Sequence, residues 1–221
     1  SYVLTSIVLY LFVSRFLGKT IALYSTAFFT FSPVSILTSR AFQPDQMMLL
    51  SALASLLLLN YWLETKKRVY LFAAALFFSW ALLLKITAAV FLFPAFYYIF
   101  FQKDHRVFNL KMLFFFLISS IPAFFWYRHS FIFSTERDVF SASVYRIVNW
   151  FDPSLYFEYS YYATIFGFEF NLVLMPLGLF LFVLGLMLKP RKGMTIFYLW
   201  LVGVFLYFLI FNRHVMTHEY Y

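Results

Sequence analysis

A long apolar run with one charge decides the fold: residues 70–101 read YLFAAALFFSWALLLKITAAVFLFPAFYYIFF, and Lys85 is the charged residue. A membrane-spanning helix needs about 20 apolar residues, so this run is too long for one span and short for two. Basic turns lie at both of its ends, at Lys66–Arg68 and around Lys103. Because these two turns must share one side of a membrane, the run is predicted to be a hairpin with Lys85 at its outer tip.

The alternative for this run is one long tilted helix with Lys85 in mid-membrane. That helix would place the two basic turns on opposite sides of the membrane. Each arm of the hairpin would be about 23 Å long at roughly 1.5 Å per residue, which is thin for a bilayer. We therefore expect neighbouring helices to shield the two arms.

The composition places the whole chain in the membrane class. Hydrophobic residues make up 64% of it and charged residues 12%, with a mean hydropathy of +0.83. An ordinary soluble domain carries about 25% charged residues. Aromatic residues reach 25%, so part of them are expected to face lipid or to lie at the interfaces. Cysteine is absent, which excludes disulfides and thiol chemistry.

Hydropathy predicts an all-α integral membrane fold, a polytopic bundle of about eight spans with the first one truncated. Residues 1–221 are predicted to form a single transmembrane domain. The chain starts inside an apolar run and stops after a polar cluster, so we expect a fragment that lacks an N-terminal helix, a first outer loop and a C-terminal part. The predicted spans are Tyr2–Ser14, Thr20–Leu37, Met47–Leu63, Tyr70–Leu84, Ile86–Phe101, Leu110–Tyr127, Glu169–Leu188 and Met194–Phe211.

The polar turns between these spans alternate between two kinds. Eleven of the 17 Lys and Arg residues fall in four basic turns, which the positive-inside rule assigns to the cytoplasm. Seven of the nine acidic residues fall outside, so the net charge of +8 is mostly cytoplasmic anchoring and does not indicate nucleic-acid binding. The basic turns hold Arg15 with Lys19, Lys66–Arg68, Lys103 with Arg106 and Lys111, and Lys189 with Arg191 and Lys192.

Residues 128–168 are the large non-spanning stretch and are predicted to be an extracytoplasmic interfacial segment. Their composition, rich in Tyr and acidic residues, suits a segment that lies on the bilayer surface. One interpretation is an aromatic belt at the membrane interface. The other is a cover over a lipid-facing groove, with aromatic rings stacking on sugar. Both stay open on the sequence.

Lys85 is the first candidate site residue. A lone ammonium at a hairpin tip near the outer boundary can pair with a lipid phosphate, and charge at membrane depth is costly and usually functional. The alternative is a lysine that reaches the headgroups without any function.

Arg40 and Asp45 are the next candidates, in the stretch Ser39-Arg-Ala-Phe-Gln-Pro-Asp-Gln46. Pro44 suits the first position of a helix, which places Asp45 in the first turn. There Asp45 either stabilises the helix terminus through the dipole, or positions a substrate or acts as general base. Arg40 either pairs with Asp45 or binds phosphate.

A polar cluster follows the last predicted span and contains His214, His218 and Glu219. The two histidines are four residues apart, so a helix would place them on one face. With the nearby Glu219 they could bind a metal, although the order differs from the metalloprotease pattern. A hydrogen-bonding role of His218 towards phosphate or sugar is favoured, and an ordinary polar turn is the third interpretation.

Three features together resemble the GT-C-type membrane glycosyltransferases. The nearest resemblance is to the bacterial dolichyl-phosphate-mannose-protein mannosyltransferase-like group, glycosyltransferase family 39, and to the related aminoarabinose transferase of lipid A. The resemblance covers nearly the whole chain and depends on the order and spacing of the motifs. The motifs are Ser32-Pro33 with Ser39-Arg40 and Pro44-Asp45, the apolar run ending in Leu82-Leu-Leu-Lys85, and His218-Glu-Tyr-Tyr221.

The resemblance implies transfer of a hexose or pentose from a polyprenyl-phosphate donor to a glycan, lipid or protein acceptor. The enzyme would lie in a bacterial inner membrane, in contact with membrane lipids, with its active face outside. Lys85 and Arg40 would bind the donor phosphate, and Asp45 is the candidate catalytic carboxylate. The family's acidic pair, the usual seat of the base, would lie on a loop upstream of this chain. The substrate cavity would also be lined by His218, Glu219 and Tyr220.

No resident cofactor is predicted, and a divalent metal is left open. Two other function classes compete with the transferase. A transporter or flippase of lipid-linked sugars would favour inverted repeats and Gly- or Pro-broken helices near the midplane. The chain has six Gly and no internal symmetry, and its charges gather at one face, which favours the transferase. A non-catalytic membrane subunit is the third class.

Overall fold

A computed structural model describes residues 1–41, 43–100, 110–136, 151–168, 173–187, 189–191 and 193–217 of the chain. This part of the chain is all-helical and contains no strand, which confirms the predicted all-α class. Two short 3-10 helices are named η1 and η2. The helices are α1 Tyr2–Leu17, α2 Lys19–Phe31, α3 Pro33–Arg40, α4 Asp45–Thr65, α5 Arg68–Leu84, η1 Ile86–Phe91, α6 Leu92–Phe100, α7 Leu110–Glu136, η2 Pro153–Phe157, α8 Tyr159–Phe168, α9 Met175–Met187, α10 Thr195–Ile210 and α11 Asn212–Thr217.

Helices α4 and α5 form an antiparallel pair at the centre of the fold. The chain reverses between them within two residues, because Lys66 adopts the left-handed conformation with φ 57° and its N–H bonds to the Trp62 carbonyl at 2.7 Å. Halfway along the pair, the buried Ser55 hydroxyl donates to the Ala74 carbonyl at 2.8 Å. Two long apolar helices are thereby joined at a basic turn and packed along their length.

The predicted hairpin in residues 70–101 is confirmed. Helix α5 ends at Leu84, the next residue Lys85 has an extended backbone, and the chain then runs back through η1 and α6. The Tyr98 hydroxyl in α6 donates to the Leu56 carbonyl at 3.2 Å, halfway down α4. Lys85 therefore lies at the hairpin tip, at the opposite end of α5 from Lys66–Arg68. The alternative of one long helix is wrong, and the second arm differs from the prediction in starting as a 3-10 helix.

The other helices can be placed relative to the two ends of the α4–α5 pair. Arg15 in α1 lies 2.6 Å from Glu64, near the end of α4, so α1 runs parallel to α4. The backbone at Gly193, before α10, packs against the Phe16 carbonyl that follows Arg15. We call this the basic end, and the end with Asp45 and Lys85 the site end. The described cations at the basic end are Arg15, Lys19, Lys66, Lys67, Arg68, Lys111, Lys189 and Arg191.

Helix α7 begins at the same end of the bundle as α5. The Ser119 hydroxyl donates to the Ala75 carbonyl, and the Tyr127 hydroxyl donates to the Leu82 carbonyl at 2.9 Å. These bonds make α7 parallel to α5, with Lys111 at the basic end. The alternation of turns predicted from charge is thus consistent with the described helices, while Lys103, Arg106 and Lys192 lie outside the described residues.

One predicted span is not a continuous helix. The span Thr20–Leu37 breaks at Ser32, where α2 and α3 meet at 58°, because Pro33 keeps the preceding residue in an extended conformation. Helix α7 continues to Glu136, into the segment 128–168, whose interfacial placement stays a prediction. In the predicted span Glu169–Leu188, α9 covers Met175–Met187, and both ends of the span lie outside the described residues.

The predicted count of eight spans is not confirmed. In the described part of the chain, α4 is long and apolar enough to cross a membrane on its own. Helices α2 and α3 meet the same criterion together, as one bent pair. Shorter apolar helices of 10–17 residues accompany them, and two of these, Arg68–Leu84 and Ile86–Tyr98, correspond to the two predicted arms of the hairpin.

Candidate functional site

An ion pair between Lys85 and Asp45 marks the site end. The Lys85 ammonium donates to a carboxylate oxygen of Asp45 at 2.6 Å, and the two side chains are 15% and 23% exposed. Asp45 begins α4 directly after Pro44, and Lys85 directly follows α5, so the antiparallel pairing of the two helices brings these residues together. Two residues that the sequence analysis chose separately are thus in contact.

Local structure fixes the backbone on both sides of Lys85. Its N–H bonds to the Ala81 carbonyl at 3.0 Å, and its own carbonyl accepts from Ala88 N–H at 3.0 Å. The Tyr127 hydroxyl of α7 bonds to Leu82 one turn earlier. The ammonium is therefore carried by a backbone that is bonded to the helix before it and to η1 after it.

Gln46 joins the site to α3 and was missed by the sequence analysis. Its side-chain amide donates to the Thr38 hydroxyl at 2.8 Å, and Thr38 in turn donates to the Val34 carbonyl at 2.8 Å. Because Thr38 uses its proton there, the amide orientation of Gln46 is fixed. The side-chain oxygen of Gln46 is buried and has no donor among the described residues. The sequence did contain a signal for Gln46, which is a polar residue directly after Asp45 at the start of a helix.

Arg40 does not pair with Asp45, contrary to one alternative from the sequence. It is the last residue of α3 and is exposed, while Asp45 is paired with Lys85. A cation in the last turn of a helix is stabilised by the helix dipole. The remaining alternative for Arg40, binding of phosphate, stays a prediction.

The predicted cavity residues His218, Glu219 and Tyr220 lie outside the described residues. The hypothesis of a metal bound by His214, His218 and Glu219 stays a prediction, because His218 and Glu219 lie outside the described residues. Among the described residues, no group of three or more His, Asp or Glu side chains is arranged to hold a metal ion.

An apolar groove of about 820 Å³ lies between α2 and α9. Phe28 packs against Gly178 near its centre, where a side chain at position 178 would collide with the ring. Ser32, the residue before α3, also lines the groove, and α3 carries the Thr38 that contacts Gln46. Its apolar lining is Tyr24, Ala27, Phe28, Phe31, Leu174, Met175, Leu177, Leu181 and Phe182.

Comparison with known proteins gave a family match. The family model for dolichyl-phosphate-mannose-protein mannosyltransferase matches residues 1–127 of the 221 residues. The matched part includes Asp45, Gln46 and Lys85 and the helices that bring them together. No curated protein and no solved structure matches the chain.

Proposed function

The chain belongs to the dolichyl-phosphate-mannose-protein mannosyltransferase family, and we propose that it transfers a sugar from a polyprenyl-phosphate donor to an acceptor on the extracytoplasmic face of a bacterial inner membrane. Membership of this family makes it a GT-C-type glycosyltransferase. A hexose or pentose as the sugar, and a glycan, lipid or protein as the acceptor, follow from the resemblance.

The contact between Lys85 and Asp45 is the observation that carries this proposal. It combines a cation for an anionic headgroup with a carboxylate, at the end of the bundle away from the basic turns. By the positive-inside rule the basic end is cytoplasmic, so the site end faces outward. A lipid-linked donor with its headgroup in the outer leaflet would meet Lys85 at that depth.

Each residue has a role in the proposed transfer. The acceptor hydroxyl oxygen attacks the anomeric carbon of the sugar, and the bond from that carbon to the donor phosphate oxygen breaks. The electron pair leaves with the phosphate, whose negative charge Lys85 and Arg40 stabilise. The proton of the acceptor goes to a carboxylate, which is Asp45 where the family's upstream acidic pair does not take this role.

The groove between α2 and α9 supports a lipid-linked donor. Its lining is apolar and its volume of about 820 Å³ gives room for several isoprene units. Its lining includes Ser32, and α3, which follows Ser32, contacts Gln46 beside Asp45. We propose that the prenyl chain lies in this groove while the phosphate reaches Lys85.

A transporter of lipid-linked sugars is the competing function. Transporters bind their substrates near the bilayer midplane. Helices α4 and α5 carry their charged residues at their ends, Asp45 and Glu64 in one and Arg68 in the other. This placement favours a reaction at the end of the bundle over transport of a substrate through its middle.

Lys85→Ala tests the proposal in the full-length protein, assayed for sugar transfer from a polyprenyl-phosphate-sugar in vesicles. Loss of the phosphate-binding cation is expected to lower transfer by about 100-fold or more. Lys67→Ala at the basic end is the matched control and should keep full activity. Transfer that is unchanged in Lys85→Ala would overturn the site assignment.

A second variant separates chemistry from folding. Lys85→Ala leaves the Asp45 carboxylate without its ammonium, so Lys85→Ala with Asp45→Asn removes both charges together. If the pair is only structural, the double variant should regain both thermal stability and transfer. We expect it to regain stability and to remain inactive.

A further inference from the structure

Residues 151–168 are attached to the site end of α10 by tyrosine hydroxyls. The Tyr156 hydroxyl donates to the Leu209 carbonyl, and the Tyr161 hydroxyl donates to the Phe208 carbonyl at 2.9 Å. Burial raises the pKa of Tyr161 to about 12, so its phenol keeps its proton at any physiological pH. Both bonds use carbonyls in the last turn of α10, where helices have unpaired acceptors.

A second attachment lies directly beside the first. The fully buried Asn212 accepts from Asp152 N–H at 2.9 Å and donates to the Asp152 carbonyl at 2.6 Å. The Asp152 carboxylate caps η2 through Ser154 and lies 3.7 Å from Arg213. The bonds from Ser154, with a smaller contribution from Arg213, lower the pKa of Asp152. The segment is therefore held rigidly against α10 and α11.

The segment also exposes aromatic side chains. Phe157 is 92% exposed and Tyr159 is 86% exposed, and Phe151, Tyr162 and Phe166 are exposed as well. Because the hydroxyls of Tyr156 and Tyr161 bond to α10, these exposed rings belong to a segment whose backbone is attached to that helix. Large exposed aromatic surfaces of this kind mark a binding surface.

Exposed apolar side chains also lie along α10, up to the end where the segment is attached. Val202, Phe205 and Ile210 are exposed on that helix, and Ile210 follows the Leu209 that Tyr156 contacts. In a spanning helix, exposed apolar side chains face hydrocarbon. A segment bonded to the end of that helix therefore lies near the boundary between hydrocarbon and headgroups, where aromatic side chains are enriched.

We propose that residues 151–168 are an interfacial anchor whose Phe157 and Tyr159 side chains insert into the outer leaflet of a phospholipid membrane. The anchor does not depend on sugar transfer. Its function is to hold the outer ends of α10 and α11 at a fixed depth, because the tyrosine and Asn212 bonds connect the inserted rings to those helix ends. The partner is the lipid surface itself.

Single cysteines test the proposal, since the chain contains none of its own. Phe157→Cys and Tyr159→Cys change side chains that are almost fully exposed, so the fold should tolerate them. Each variant is labelled with the fluorophore NBD and reconstituted in phosphatidylcholine vesicles. Glu158→Cys, between the two, is the matched control.

The expected result is quenching of NBD at positions 157 and 159 by nitroxide-labelled phospholipid and protection from aqueous iodide. Position 158 should show the reverse pattern. Iodide quenching at 157 and 159 with no effect of the lipid nitroxide would overturn the proposal. So would protection of 157 and 159 that appears only when an oligosaccharide is added, which would indicate a sugar-stacking surface.

The attachment to α10 has a test of its own. Tyr156→Phe with Tyr161→Phe removes both hydroxyls and keeps the rings. In the Phe157→Cys background we expect this change to weaken lipid quenching at least twofold. Unchanged quenching would show that the segment reaches the membrane without the bonds to α10.

Discussion

At the scale of single residues, the contact between Lys85 and Asp45 has a consequence for substrate binding. The Asp45 carboxylate and a donor phosphate are both anions, and they compete for one ammonium group. We expect a phosphate that binds Lys85 to weaken the bond between Lys85 and Asp45. In the proposed reaction, donor binding is the event that makes Asp45 available to an acceptor hydroxyl.

Asp45→Asn separates these two roles of the carboxylate. Without the competing charge, the KM for the polyprenyl-phosphate donor is expected to fall several-fold. If Asp45 takes the acceptor proton, kcat should fall by about 10²–10⁴-fold. Steady-state kinetics with the donor as the varied substrate measures both values.

Glu64→Gln is the control for that experiment, because it makes the same chemical change at the basic end of the same helix. It should leave KM and kcat unchanged. A raised KM in Asp45→Asn would contradict the competition, since it would mean that Asp45 is needed to hold Lys85 in place. An unchanged kcat would assign the proton transfer to another carboxylate.

At the scale of helices, hydroxyl groups bond neighbouring elements to each other. Ser55 joins α4 to α5, Ser119 joins α7 to α5, and Tyr98 joins α6 to α4, each through a backbone carbonyl. Inside a bilayer the hydrophobic effect does not favour contact between helices over contact with lipid. Packing and hydrogen bonds of this kind must then hold the bundle together.

Ser55→Ala is expected to lower the free energy of unfolding by about 0.6–1.5 kcal/mol, because it leaves one interhelical bond unmade. Ser120→Ala changes an exposed serine on α7 and should have little effect. Reversible unfolding in mixed micelles measures both. Equal stability of the two variants would contradict the argument.

Gly203 gives a second prediction at this scale. A methyl group there would lie 2.7 Å from a ring carbon of Phe93 and 2.8 Å from the Val90 carbonyl oxygen. The backbone of the second hairpin arm cannot move as easily as a side chain, so Gly203→Ala should cost about 1–3 kcal/mol. Gly185→Ala in α9 meets no atom within 4 Å and should be neutral or slightly stabilising. A midpoint of thermal unfolding that falls equally in both variants would refute this.

At the scale of the whole molecule, the orientation of the bundle is open to a direct test. A cysteine at position 85 should react with a membrane-impermeant maleimide from outside intact cells, and a cysteine at position 67 only after permeabilisation. The reason is that Lys85 and Lys67 lie at opposite ends of α5. Labelling of position 85 only after permeabilisation would reverse the assignment of faces.

The sequence was sufficient to predict the central part of the fold. The hairpin tip at Lys85 was predicted from the length of the apolar run and from the basic turns at both of its ends. This was possible because the thickness of a bilayer limits the length of a span, and because basic turns stay on the cytoplasmic side. Pro44 predicted the start of α4 with Asp45 in its first turn, and the helix begins at Asp45 with Pro44 as its N-cap. The charge pattern also placed Lys85 and Asp45 at one end of the bundle, where the structure joins them.

The remaining details depend on three-dimensional packing. Arg40 and Lys85 were both available partners for Asp45, and only the side-by-side packing of α4 and α5 decides between them. The break before Pro33 had a local signal in the proline, but the apolar run around it predicted one continuous span. The hydroxyl bonds of Tyr156 and Tyr161 join residues about 50 positions apart, which no local pattern reveals.

The short turn at Lys66 also bears on how the protein is made. Because α4 and α5 are joined within two residues, both leave the ribosome in succession, at roughly 5–20 residues per second. The nascent chain can then pair them in the translocon through contacts that are close in sequence, before the downstream helices exist. We expect Asp45 and Lys85 to meet at that early stage, so that assembly of the later helices starts from a helix pair whose charges at the site end already neutralise each other.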